Sequence, residues 1–103
     1  MLTLTNAKKL ELLDTLLKNT EYQLIEFITT KDFNKKALED NPQSRDKIIP
    51  LILTIDSDIK QTVAYIDFII KQIEELKNKP ADGIVIIFED NREEVSGEVI
   101  SNK

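Results

Sequence analysis

The chain contains no cysteine, no histidine and no tryptophan, and only two glycines among 103 residues. Without cysteine there is no disulfide, no thiolate nucleophile and no cysteine-based zinc site. Without histidine the commonest general base and metal ligand is missing. A glycine-rich loop that cradles phosphate needs clustered glycines, whereas Gly83 and Gly97 stand alone. These absences close most familiar enzyme designs, and the expectation is a protein that is not an enzyme, with no catalytic, cofactor-binding or metal-ligating residues.

Long hydrophobic runs are also missing. The longest, IIPLILTI at 48–55, is far shorter than a membrane span requires and is interrupted by Pro50. MLTLTNAKKL has no basic start followed by an apolar block. It therefore does not read as a signal peptide, and a cytoplasmic location without membrane contact is expected.

Charge is unevenly spread. Residues 1–80 carry 12 Lys/Arg against 13 Asp/Glu, whereas residues 81–103 carry two against six, a net charge of −4. No basic footprint is visible, so direct nucleic-acid binding is not expected. Twelve lysines to two arginines, with abundant Ile and Asn, suggest a phage-like or AT-rich bacterial origin.

What is present is periodicity. In Ile52–Leu76 the apolar positions fall at Ile52, Ile55, Ile59, Ile66, Ile69, Ile73 and Leu76, with Thr62 taking the middle step. An earlier stretch repeats the pattern: Leu10, Leu13, Leu17, Thr20, Leu24 and Phe27. Three-four spacing defines one face of a helix. The expected elements of a single domain (1–103) are a helix over 6–30, a connector over 31–49 and a second helix over 50–78. Thr5 or Asn6 serves as N-cap of the first helix. Within the connector Asp32 can cap a short helix that Asn41-Pro42 would end. Pro50 argues for starting the second helix near it, the alternative being a helix from about residue 44 that bends there. Thr20-Glu-Tyr-Gln23 matches a capping box that would split the first helix, but one continuous helix is favoured. Acid-then-lysine pairs at i,i+4 (Asp14/Lys18, Asp56/Lys60, Asp67/Lys71, Glu75/Lys79) mark a charged face opposite the seam.

After Pro80 the period changes. GIVIIF at 83–88 and VSGEVI at 95–100 flank a turn candidate, EDNREE, and read as a β-hairpin over 83–100. MLTLT alternates and is either a short strand or a tail. The fold class is α+β, mainly α: a long antiparallel helical hairpin with coiled-coil-like packing, followed by a C-terminal β-hairpin.

In an antiparallel pair whose facing residue numbers sum to 82 or 83, Thr20 falls opposite Thr62. A weakly polar layer there would penalise a register slip, as buried polar residues do in coiled coils. Other apolar residues lie beside the seam. Leu12, Leu16, Tyr65 and Phe68 are the candidates for an interface, since two helices cannot cover them. Tyr65 and Phe68 could also stack on bases, but no positive charge accompanies them.

The acidic residues need separate treatment. Asp56 and Asp58 would splay apart on a helix and cannot converge on one cation there. Glu74-Glu75 reads as solvated surface. Glu89, Asp90, Glu93 and Glu94 form an acidic patch that either protects a strand edge or imitates phosphate charge. The expected function is a non-enzymatic protein-protein interaction or assembly module, self-associating as a dimer or tetramer through apolar helix faces. The alternative is a small acidic inhibitor that blocks a basic site on another protein.

Overall fold

In a computed structural model, residues 2–88 are described. The order is strand β1 (Leu2–Thr5), helix α1 (Asn6–Asp40), a 3-10 turn (Pro42–Ser44), helix α2 (Arg45–Lys77) and strand β2 (Ile84–Phe88). The two helices pack against each other as an antiparallel hairpin, and the strands pair at its open end. The fold is thus α+β and mainly α, as the two seams and the change of period imply.

Helix α1 starts where local chemistry says it should. Thr5 is extended (φ −77°, ψ 158°), and its hydroxyl accepts a hydrogen bond from the Lys8 N–H at 3.1 Å. Its C-terminal limit corrects the expected connector. The helix continues through residues 31–40 and ends only at Asn41, which precedes Pro42 and leaves helical conformation (φ −144°, ψ 72°). No Gly or Pro lies between Thr30 and Asn41, so the short helix expected after Asp32 is simply the last turns of α1. The bend shrinks to Asn41–Ser44, held by Asn41 Nδ2 donating to Ser44 Oγ at 2.8 Å and Ser44 N–H donating to the Asn41 carbonyl at 2.9 Å.

Helix α2 begins at Arg45, not at residue 50, and Pro50 lies inside it. Proline there removes one bond, to the carbonyl of Asp46, and Asp46 is exposed. A single missing bond near a helix start costs less than surrendering a turn that the tight bend requires. At the far end the N–H groups of Asn78 and Lys79 close onto the carbonyls of Glu75 and Leu76 at 3.3 and 3.0 Å. Pro80 then ends the helix as expected.

Leu2–Thr5 is a strand, not a tail. β1 and β2 are antiparallel, with Leu4 opposite Val85 and Thr5 opposite Ile84; Ile87 is the extra residue where the register shifts. The strand expected at 95–100 lies outside the described residues.

The seam is the core, and it is thin. Among the described residues the buried apolar side chains are Ile69, Ile73 and Leu76, with Ile69 only 1% exposed. They sit toward the open end of the hairpin. Thr20 and Thr62 are buried as well, at 5% and 9% exposure, as a shared polar layer requires. Neither hydroxyl is left unpaired: Thr20 Oγ1 donates to the Leu16 carbonyl at 2.7 Å and Thr62 Oγ1 to the Asp58 carbonyl at 2.8 Å. Thr20 therefore lies inside one continuous helix and caps no second one.

The open end is closed by Asn6. Its backbone N–H donates to the Gly83 carbonyl at 2.7 Å, its Nδ2 to the Pro80 carbonyl at 2.8 Å, and the Ala7 N–H to the Ala81 carbonyl at 3.0 Å. The helix start, whose first N–H groups have no partner within the helix, is thus satisfied by the turn that follows α2. Gly83 is required for space: a Cβ there would stand 2.6 Å from Asn6 Nδ2.

Two stability predictions follow from this geometry. Asn6→Ala removes the side-chain bond to the Pro80 carbonyl, which keeps the Gly83 N–H at 3.1 Å, and should cost about 0.5–1.5 kcal/mol in urea unfolding. Gly83→Ala should cost a similar amount, and the double variant clearly less than the two losses added, because both changes break one contact. Full additivity would show that Asn6 and Gly83 act separately. At the centre of the seam, Thr20→Ile with Thr62→Ile should raise the melting temperature while weakening selection of a single register. A large loss of stability would show that the two threonines do not share a layer.

Candidate functional site

The hairpin is one helix thick. Its smallest principal extent is 14 Å and its longest 59 Å, against a helix diameter of about 10–12 Å with side chains. A single layer of two helices has two broad faces, and among the described residues no other element covers either along most of its length. Leu12, Ile25, Phe33, Val63, Tyr65 and Phe68 are among the large apolar residues left exposed.

Offset from the seam assigns each residue to a face. An antiparallel helix pair has an approximate two-fold axis normal to the layer, so the same step from the seam reaches the same face in both helices. The residues immediately before the seam positions are Lys9, Leu12, Leu16, Asn19, Gln23, Glu26, Thr30 and Phe33 in α1. In α2 they are Leu51, Thr54, Asp58, Gln61, Tyr65, Phe68, Gln72 and Glu75. The four interface candidates, Leu12, Leu16, Tyr65 and Phe68, therefore share one face, at neighbouring levels near the open end. Leu16 is half-buried and the other three are exposed. Phe33, at 72% exposure, and Leu51 lie on the same face near the bend. Neither was singled out from the sequence, because Phe33 fell in the expected connector and Leu51 just beside Pro50.

The residues immediately after the seam positions make up the opposite face. It carries Ile25, Ile28, Leu53, Val63 and Ile70, but among them stand Glu11, Asp14, Glu21, Asp32, Asp56, Asp67 and Glu74. Lys18, Lys35, Lys60 and Lys77 are the lysines at the same offset. The two faces thus differ in chemistry: one apolar with few charges, the other apolar with many charges of both signs.

Ion pairing departs from the i,i+4 expectation. Among the described residues no ion pair joins Asp14 to Lys18, Asp67 to Lys71 or Glu75 to Lys79. Asp56 pairs across the hairpin with Lys31 of α1 instead of with Lys60. Lys31 occupies a seam position, and its long stem reaches across the interface where a second leucine would otherwise sit. The remaining pairs, Lys8 with Glu11 at 3.4 Å and Lys36 with Asp40 at 3.2 Å, are exposed and within one helix, and contribute little.

Among the described residues no group of three or more carboxylates is placed to hold a metal ion. Asp56 is engaged by Lys31, and Glu74 and Glu75 are exposed. A depression lies at the open end, where Glu11 and Asp14 stand across from Lys77 and Lys79. It is open to solvent and holds no convergent donor set. Glu89, Asp90, Glu93 and Glu94 lie outside the described residues. No helix among the described residues is long and apolar enough to cross a membrane. Comparison with protein-family models, curated proteins and solved structures finds no match to this chain.

Proposed function

We propose that this protein is a non-enzymatic interaction and assembly module of the cytoplasm that self-associates through the apolar faces of its helical hairpin. The observation that carries this reading is the imbalance between core and surface. Among the described residues three apolar side chains are buried, while Leu12, Phe33, Leu51, Tyr65, Phe68 and others remain exposed on a layer one helix thick. Fully burying a large apolar side chain is worth about 1.5–3 kcal/mol. Covering one face of the layer would therefore contribute as much as the intramolecular seam. Clustered exposed apolar surface of this kind marks interaction sites in soluble proteins. A sequence without histidine or cysteine supports binding over catalysis.

Solution mass tests the reading directly. Light scattering after gel filtration should give a dimer or tetramer that persists at about 0.5 M salt, because apolar burial is not screened. A monomer at every concentration would remove self-association. Function would then move to the acidic end of the chain, residues 81–103, as a mimic of phosphate charge directed at a basic site.

A further inference from the structure

We infer that the second copy docks on the face defined by Leu12, Leu16, Phe33, Leu51, Tyr65 and Phe68, so that two hairpins stack through this face into a four-helix bundle. The inference rests on the self-association reading and adds which of the two apolar faces is used.

Charge decides between the faces. In an isologous contact each face meets a copy of itself, so every charged group on it must be desolvated or paired against the other copy. The face after the seam carries eleven such groups, seven carboxylates and four lysines, and Lys31 of the seam engages one of them, Asp56. Burying that many charges between two copies is costly. The face before the seam carries four: Lys9 and Glu75 at its open end, and Glu26 and Asp58 between. Between its apolar ends it presents Asn19, Gln23, Thr30, Thr54 and Gln61, which can hydrogen-bond to another copy or to trapped water.

Area and composition agree with charge. The exposed parts of the six apolar residues amount to roughly 550 Å², taking about 150–250 Å² for each whole aromatic side chain. A standard interface buries about 800 Å² per partner, and the intervening amides and hydroxyls supply the difference. Three aromatic residues in two clusters give the anchors that interface centres favour. A layer 14 Å thick, doubled, reaches the dimensions of a four-helix bundle, whose core would lie where each hairpin is bare.

The experiment compares matched substitutions on the two faces in the full chain. Phe68→Glu and Phe33→Glu should each raise the dimer dissociation constant by about 30-fold or more in sedimentation equilibrium. Ile70→Glu and Ile28→Glu, on the opposite face, should change it by less than about threefold. All four positions are exposed, and far-UV circular dichroism confirms that each variant remains helical. Because the chain has no cysteine, a nitroxide placed by Gln61→Cys reports on one site alone. In the assembled protein it should lose mobility and show dipolar coupling that disappears on dilution with unlabelled chain, whereas a label placed by Glu21→Cys should stay mobile.

Dissociation by Ile70→Glu but not by Phe68→Glu, or an immobile label at position 21 with a mobile one at 61, would overturn the choice of face while leaving self-association intact. If none of the four substitutions alters the mass of an assembled protein, the contact lies off both helix faces and the inference fails. A wild-type monomer would remove self-association itself and this inference with it.

Discussion

The hydrogen bonds of Asn6 hold the rest of the structure in place. An antiparallel helix pair of this length is closed at one end by its bend and open at the other. At the open end the first turn of α1 has N–H groups without helical partners, and the chain leaving α2 has carbonyls without partners. Asn6 joins these two deficits: backbone N–H to Gly83, side-chain amide to Pro80. The same contact delivers Ile84 beside Thr5, so the pairing of β1 with β2 follows from where Asn6 is held. A two-stranded sheet is marginal unaided. Here its register is fixed by the same contact that closes the helices.

The second constraint is dimensional. Two helices side by side bury one stripe each, and a stripe of about 100° leaves most of each helix uncovered. A third helix or a broad sheet would normally complete the core. The described residues supply only two short strands at one end, which explains why the buried side chains Ile69, Ile73 and Leu76 lie there. Toward the bend, Leu24, Phe27, Ile55 and Ile59 face one another but remain half-buried. The hairpin is least covered where it is farthest from the sheet, and Phe33 and Leu51 expose apolar surface in that region. The proposed second copy would supply cover that the packing of the described residues leaves wanting.

How much of this was legible in the sequence depends on the range of the interaction concerned. The seams were legible because a helix repeats its contacts every three or four residues, and the buried positions of Thr20 and Thr62 follow from that repeat. The end of α1 was misjudged because a polar segment was taken for a connector. FNKKALED lacks an apolar face of its own, yet nothing in it breaks a helix already running. Pro50 was overweighted for a related reason: proline in the second turn of a helix forfeits one bond, which the demands of a four-residue bend outweigh. The pairing of β1 with β2 and the role of Gly83 were not legible at all. They depend on residues more than seventy positions apart and on a close approach that only the three-dimensional packing reveals. The face carrying Leu12, Leu16, Tyr65 and Phe68 could be read residue by residue, but its unity required the antiparallel register.

Register is itself the remaining problem that such a sequence must solve. Ladders built from repeated Ile and Leu look nearly the same after a shift of seven residues, so hydrophobic burial alone selects one alignment only weakly. This chain breaks the degeneracy at four levels along the hairpin. At the bend, Asn41 and Ser44 close a connection too short to absorb a slip. Next come Lys31 and Asp56, whose ion pair would be lost with any shift. In the middle, Thr20 and Thr62 are both buried, and a shift by seven residues would set each against a large apolar position of the other ladder. At the open end, Asn6 would lose both carbonyls. Each device is weak or costly judged by stability alone: a polar layer reduces burial, and a partly exposed ion pair contributes at most about 1 kcal/mol. Their common effect is to make one alignment distinct. A defined register also fixes which residues share a face, since Leu12 and Leu16 come level with Phe68 and Tyr65 in this alignment alone. The polar residues of the seam thereby determine the apolar surface presented outside it.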